Sequence, residues 1–106
     1  MKLGMVIYSD DTETVWNAFR LGLFALKQGD AVSVFLLAKG VECRNLDTVK
    51  FKVCETIDEF VAAGGTILAC GTCLKLRHTE DAGVCEISTM QDLHRLVRDS
   101  DKVLTF

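Results

Sequence analysis

Two nearly continuous apolar runs, Leu3 to Tyr8 and Ala31 to Ala38, flank a helical stretch, and this alternation limits the fold more than any other feature of the chain. Runs of Val, Ile, Leu and Phe without polar interruption read as strands covered on both faces, as in parallel sheets. Between them, Thr12 to Gln28 places Val15, Phe19, Gly22, Leu23 and Leu26 at spacings of three and four, which predicts a helix with that stripe turned inward. Asp10, with Glu13 three residues on, reads as its cap, and Gly29 as its left-handed stop. Strand, helix and strand within about 38 residues make a βαβ unit, whose crossover is right-handed and whose strands are parallel. Leu21 and Phe24 fall off the stripe, on the face that should be wet, and are candidates for contact with another subunit.

The rest of the chain continues the alternation. Lys39-Gly40-Val41-Glu42-Cys43-Arg44-Asn45 reads as a loop or short helical turn, and Val49 to Cys54 as a short extended piece. Thr56-Ile57-Asp58-Glu59 reads as a capping box that opens a helix with Ile57, Phe60 and Val61 inward, closed by Gly64-Gly65. Thr66 to Ala69 is a buried strand, followed by a helix over 72–80 and a short strand over 83–87 containing Cys85. Ser88 with Gln91 reads as the cap of a further helix, with Met90, Leu93, Leu96 and Val97 as its buried stripe. Lys102 to Phe106 closes the chain as a last strand. The expected architecture is a single three-layer α/β/α domain around a mostly parallel five-stranded sheet.

Composition narrows the function. The 106 residues suffice for one hydrophobic core without metal or disulfide staples. Twelve Lys and Arg against fifteen acidic residues leave a net charge of −3 and no basic cluster, so nucleic acid is not expected as a partner. No apolar run approaches the roughly 20 residues of a membrane-spanning helix. The opening Met1-Lys2-Leu3-Gly4-Met5-Val6 enters a strand pattern directly, with no small-residue cleavage site, and the cytoplasm is the expected compartment. Five cysteines, an odd number, fit reduced thiols better than a disulfide framework.

The chemistry gathers at Cys70-Gly71-Thr72-Cys73. A thiol at the end of a buried strand and the start of a helix sits where open α/β sheets place ligands. The free amides of the helix turn, including those of Gly71 and Thr72, and the charges of Lys75, Arg77 and His78 would favour a thiolate there. Cys70 is the first candidate for a reacting atom. Cys43 shares its sheet edge and joins Gly71, Thr72 and Lys75 as a candidate sulfur-site residue. Three readings of the C-x-x-C remain open. Cys70 reacts alone, with Cys73 as neighbour or resolving thiol; or the two cycle through a disulfide; or Cys70, Cys73, His78 and Cys85 bind zinc in a spacing close to that of a zinc knuckle. The first is preferred, with no resident metal and no cofactor.

The chain resembles the DsrE/DsrF-like proteins, small α/β subunits of sulfur relays. Besides the opening strand and long helix, the resemblance lies in Lys39-Gly40-Val41-Glu42, the Gly-Gly before the cysteine strand and Ala69-Cys70-Gly71-Thr72-Cys73-Leu74-Lys75. Further on it includes Ser88-Thr89-Met90 with Asp92-Leu93, and Ser100-Asp101-Lys102-Val103. It implies a cysteine at the Cys70 position that, in some members, carries persulfide sulfur between donor and acceptor proteins. It also implies homo- or hetero-oligomers, often trimers or hexamers. Cys73 corresponds to a cysteine found in a subset of the family.

Overall fold

The computed structural model of the chain describes residues 1–77 and 86–106. Its strands are β1 (Lys2–Ile7), β2 (Ala31–Leu36), β3 (Thr66–Cys70), β4 (Glu86–Ser88) and β5 (Lys102–Thr105), which form one sheet in the order β4-β3-β2-β1-β5. Every pairing is parallel. The helices are α1 (Thr12–Lys27), the 3-10 helix η1 (Ala38–Asn45), α2 (Val53–Ala62), α3 (Gly71–Leu76) and α4 (Met90–Asp99).

Chain direction dictates the layers. From β1 through β2 to β3 the strands advance one way across the sheet, so right-handed crossovers put α1 and α2 on one face, where they pack together. The return from β4 to β5 runs the opposite way and carries α4 over the other face, against β1. Strand alternation then divides the core. Met5, Ile7, Val34, Leu36, Ile67 and Ala69 join Val15, Phe19, Ile57 and Phe60 under α1 and α2. Phe35, Cys70 and Leu96 form a smaller cluster under α4. At about 1.5–3 kcal/mol for each large side chain fully buried, the α1–α2 side carries most of the hydrophobic stabilisation. Among the described residues, no helix is long and apolar enough to cross a membrane.

Several local expectations are corrected by competing contacts. Asp11, not Asp10, caps α1: its Oδ2 accepts the Thr14 backbone N–H at 2.9 Å and the Thr14 hydroxyl at 2.8 Å. The buried stripe of α1 is Val15, Ala18, Phe19, Gly22 and Ala25, because small residues let the helix sit close to its neighbours and turn Leu23 and Leu26 to the flank. No strand forms over 49–54. Instead α2 begins at Val53, where the Asp47 carboxylate accepts the Cys54 N–H at 2.8 Å, and Thr56 lies inside the helix, its hydroxyl donating to the Lys52 carbonyl at 3.0 Å. Thr89 with Asp92, rather than Ser88 with Gln91, caps α4: the Asp92 carboxylate accepts the Thr89 N–H at 3.0 Å. Ser88 is the last residue of β4. Of the expected α4 stripe only Leu96 is buried; Met90 and Val97 are 60% and 48% exposed, since α4 meets the sheet along a narrow line. The helix after β3 is described to Leu76 with Arg77 as its cap. The expected helix end over 78–80 and Cys85 lie outside the described residues.

Gly4 and Gly40 are among the glycines that permit close approach. A Cβ on Gly4 would stand 2.6 Å from both the Leu96 and Ser100 side chains, under α4. One on Gly40 would stand 2.0 Å from the Ile7 carbonyl oxygen, which is backbone and cannot swing aside. Gly40→Ala is therefore expected to cost about 1–3 kcal/mol as an overpacking substitution. Urea unfolding followed by circular dichroism checks this; an unchanged midpoint would refute the close approach.

Candidate functional site

Cys70 ends β3 and is at once the N-cap residue of α3, with extended backbone (φ −61°, ψ 116°). It continues β3 beside Ser88 of β4 at the carboxyl edge of the sheet. Strand alternation turns its side chain toward the α4 face, where it packs with Phe35 and Leu96 and is 5% exposed. Cys73 follows three residues later, one helical turn on and on the same side of α3. It is half-buried and packs against both hydrophobic clusters.

The Cys73 sulfur accepts the Ala38 backbone N–H at 3.2 Å. Ala38 opens η1 just beyond β2 with φ +51°, a left-handed conformation that costs a residue with a Cβ about 1–2 kcal/mol. Burial pushes the Cys73 thiol above its ordinary pKa, and the Cys70 thiol, interacting as a hydrogen-bond partner, pushes the same way. The Ala38 N–H and the Arg77 charge pull it back down. Arg77, at the end of α3, donates to the Glu42 carboxylate of η1 at 3.3 Å and to the Cys73 carbonyl at 3.3 Å. Its charge thus ties η1 to α3.

The other expected site residues separate into groups. Gly71 and Thr72 form the first turn of α3, and Lys75 is exposed on it. A cleft of about 310 Å³ beside α3 has Gly71, Leu74, Lys75 and Ile87 among its walls. Cys43 lies at the expected sheet edge within η1 but is fully buried in the larger cluster. Cys54 is half-buried, its thiol donating to the Arg44 carbonyl at 3.2 Å; burial and then Asp47 raise its pKa. The zinc set cannot be assembled from what is described, because His78 and Cys85 lie outside the described residues. Among the described residues no group of three or more His, Cys, Asp or Glu side chains could hold a metal ion. A separate groove of about 330 Å³ lies toward the amino ends of β1 and β2, lined by Lys2, Ser33, Leu68 and Arg95 among others, away from Cys73. Sequence reasoning missed Ala38, whose contribution is a backbone amide with no side-chain signature, and Glu42, whose partner becomes visible only once η1 and α3 are neighbours.

A family model described as the DsrE/DsrF-like family matches residues 1–106. Among curated relatives, an uncharacterized protein of Methanocaldococcus jannaschii is 32% identical over 100 residues, covering 89% of this chain and 88% of that protein. An uncharacterized protein of Methanopyrus kandleri is 33% identical over 101 residues, covering 89% and 83%. Among solved structures, the ychN protein of E. coli superposes with a TM-score of 0.80 at 22% identity, covering 100% of both chains. A conserved protein of unknown function from Bacteroides thetaiotaomicron gives 0.81 at 21% identity, covering 99% of this chain and 94% of its own. These two likenesses carry the fold, which is the five-stranded parallel sheet with helices on both faces. With the profile spanning every residue from Met1 to Phe106, the chain belongs to the DsrE/DsrF-like family.

Proposed function

We propose that this protein is a sulfur carrier, which takes sulfane sulfur from a donor protein as a persulfide on Cys70 and yields it to the thiol of an acceptor protein. The observation that carries the reading is the position of Cys70: it ends β3 at the carboxyl edge of the sheet, heads α3, and has a second thiol one turn away. In the transfer, the Cys70 thiolate attacks the outer sulfur of the donor persulfide and the donor thiolate leaves, so no external oxidant or reductant is consumed. The low exposure of Cys70 shields a persulfide from unselective thiols. The element that follows Cys70, α3, has only six residues and so is a low-cost element to displace when a partner approaches. A reducing compartment such as the cytoplasm keeps these thiols free.

We also propose a homo-oligomer assembled through α1, where Leu21 and Phe24 are 40% and 61% exposed. Light scattering at micromolar concentration should return a multiple of the chain mass, and Phe24→Glu should lower it; a monomeric wild type would end this proposal.

Incubation with a persulfide donor should add the mass of one sulfur to the native chain, and Cys70→Ser should abolish that increment. No increment on wild type, or equal loading of the variant, would defeat the carrier reading. Iodoacetamide should label Cys54 and Cys73 ahead of the buried Cys43 and Cys70, as peptide mass mapping would show. Because the folded pKa values of Cys54 and Cys73 are raised, their labelling should accelerate above the ordinary thiol pKa rather than at neutral pH. The sign for stability is the same. Protonated thiols are favoured in the fold, so their contribution is complete below the unfolded pKa and is lost as pH rises through the raised values.

A further inference from the structure

Building on the sulfur-carrier reading of Cys70, we infer that Cys73 is a resolving thiol, which displaces the carried sulfur as hydrosulfide and closes a Cys70–Cys73 disulfide. The bound sulfur thereby has a second fate besides transfer to a partner: when no acceptor arrives, the carrier discharges itself.

Cys70 and Cys73 are the N-cap and third residues of α3, the spacing at which an N-cap side chain reaches back over the first turn. A sulfur added to Cys70 lies among hydrocarbon side chains, Phe35 on the sheet and Leu96 on α4, with Leu37 and Leu93 at the margin, none of which can attack it. Cys73 packs into the same cluster and is its nucleophile among the described residues. The Ala38 N–H, fixed 3.2 Å from the Cys73 sulfur by a left-handed residue, is a donor positioned for the negative charge that the attacking sulfur bears. With Cys70 only 5% exposed, the internal thiol meets the persulfide ahead of any dissolved one.

The step balances without another reagent. The Cys73 sulfur attacks the Cys70 Sγ, a sulfur–sulfur bond forms between them, and the bond from Sγ to the outer sulfur breaks. The electron pair leaves on the outer sulfur as hydrosulfide, which takes up the Cys73 proton to give hydrogen sulfide. The two cysteine sulfurs are oxidised together by two electrons, and the sulfane sulfur is reduced by the same two. Attack at Sγ is open to Cys73 because hydrosulfide, the conjugate base of a stronger acid than a cysteine thiol, is a competent leaving group. An exogenous dithiol then resets the pair.

The test uses the full chain in a Cys54→Ser, Cys85→Ser background, loaded with a persulfide donor and freed of it by gel filtration. The parent should lose its added sulfur, release one hydrogen sulfide per loaded chain, and end two hydrogens lighter than the reduced protein. The same chain with Cys73→Ser should keep its sulfur over that interval. Equal loss from both, or transfer of the intact sulfur to Cys73, would overturn the inference. A second arm replaces the persulfide with the thionitrobenzoate mixed disulfide formed by Ellman's reagent on either thiol, so closure of the Cys70–Cys73 disulfide is read even where persulfide loading fails. Here the parent should release two thionitrobenzoates per reagent consumed and the Cys73→Ser chain one. A stable adduct on Cys70 beside an intact Cys73, or no reaction at either thiol, would sink it. No persulfide loading with normal double release would instead refute only the carrier reading.

Discussion

The backbone of η1 runs directly across the carboxyl end of β1, and the candidate site depends on that contact. Gly40 has no Cβ to hold it away from the Ile7 carbonyl, and the Leu37 N–H donates to the same carbonyl oxygen at 2.9 Å. With η1 pinned there, its first residue presents an amide to the Cys73 sulfur and Glu42 presents a carboxylate to Arg77. A bulkier residue at position 40 would lift η1, and both contacts with α3 would go with it. The sheet thus determines where Cys70 sits, whereas the crossing of η1 determines what surrounds Cys73.

The two faces of the sheet are unequally furnished. Under α1 and α2, large side chains interlock, including the Phe19–Phe60 pair with ring centroids 5.5 Å apart. Under α4 the cluster is smaller, and the helix comes close to β1 only because Gly4 admits Leu96 and Ser100. Cys70 belongs to this thinner side. A side chain there is supported by the main core through β3 without being locked inside it, an arrangement in which local opening costs less than global unfolding.

Fold class was legible in the sequence because it follows from periodicity. Uninterrupted apolar runs at β1, β2 and β3 required a sheet covered on both faces, and the helix between the first two required a parallel pair. Local boundaries were less legible because neighbouring residues of similar chemistry compete for the same task. Asp10 and Asp11 can each cap α1, and geometry selects the one whose carboxylate faces Thr14. Ser88 and Thr89 compete likewise at α4, and pairing of β4 with β3 consumes Ser88. Apolar content alone placed Met90 and Val97 inside, yet burial needs a surface to meet, and α4 meets only a narrow strip. The placement of Cys70 and Cys73 together at the end of β3 and the start of α3 was legible through their spacing. The burial of Cys43 was not, since a position along the chain fixes which edge a residue reaches but not whether it points into the core.

Cys73 packs against both hydrophobic clusters, so one side chain spans the plane that otherwise divides the domain into two halves. Among the described residues, the sheet separates α1 and α2 from α4 along its strands, and at its carboxyl rim the Cys73 side chain bridges the two sides. A change of volume at this side chain would consequently be felt transversely, in the packing on both faces at once.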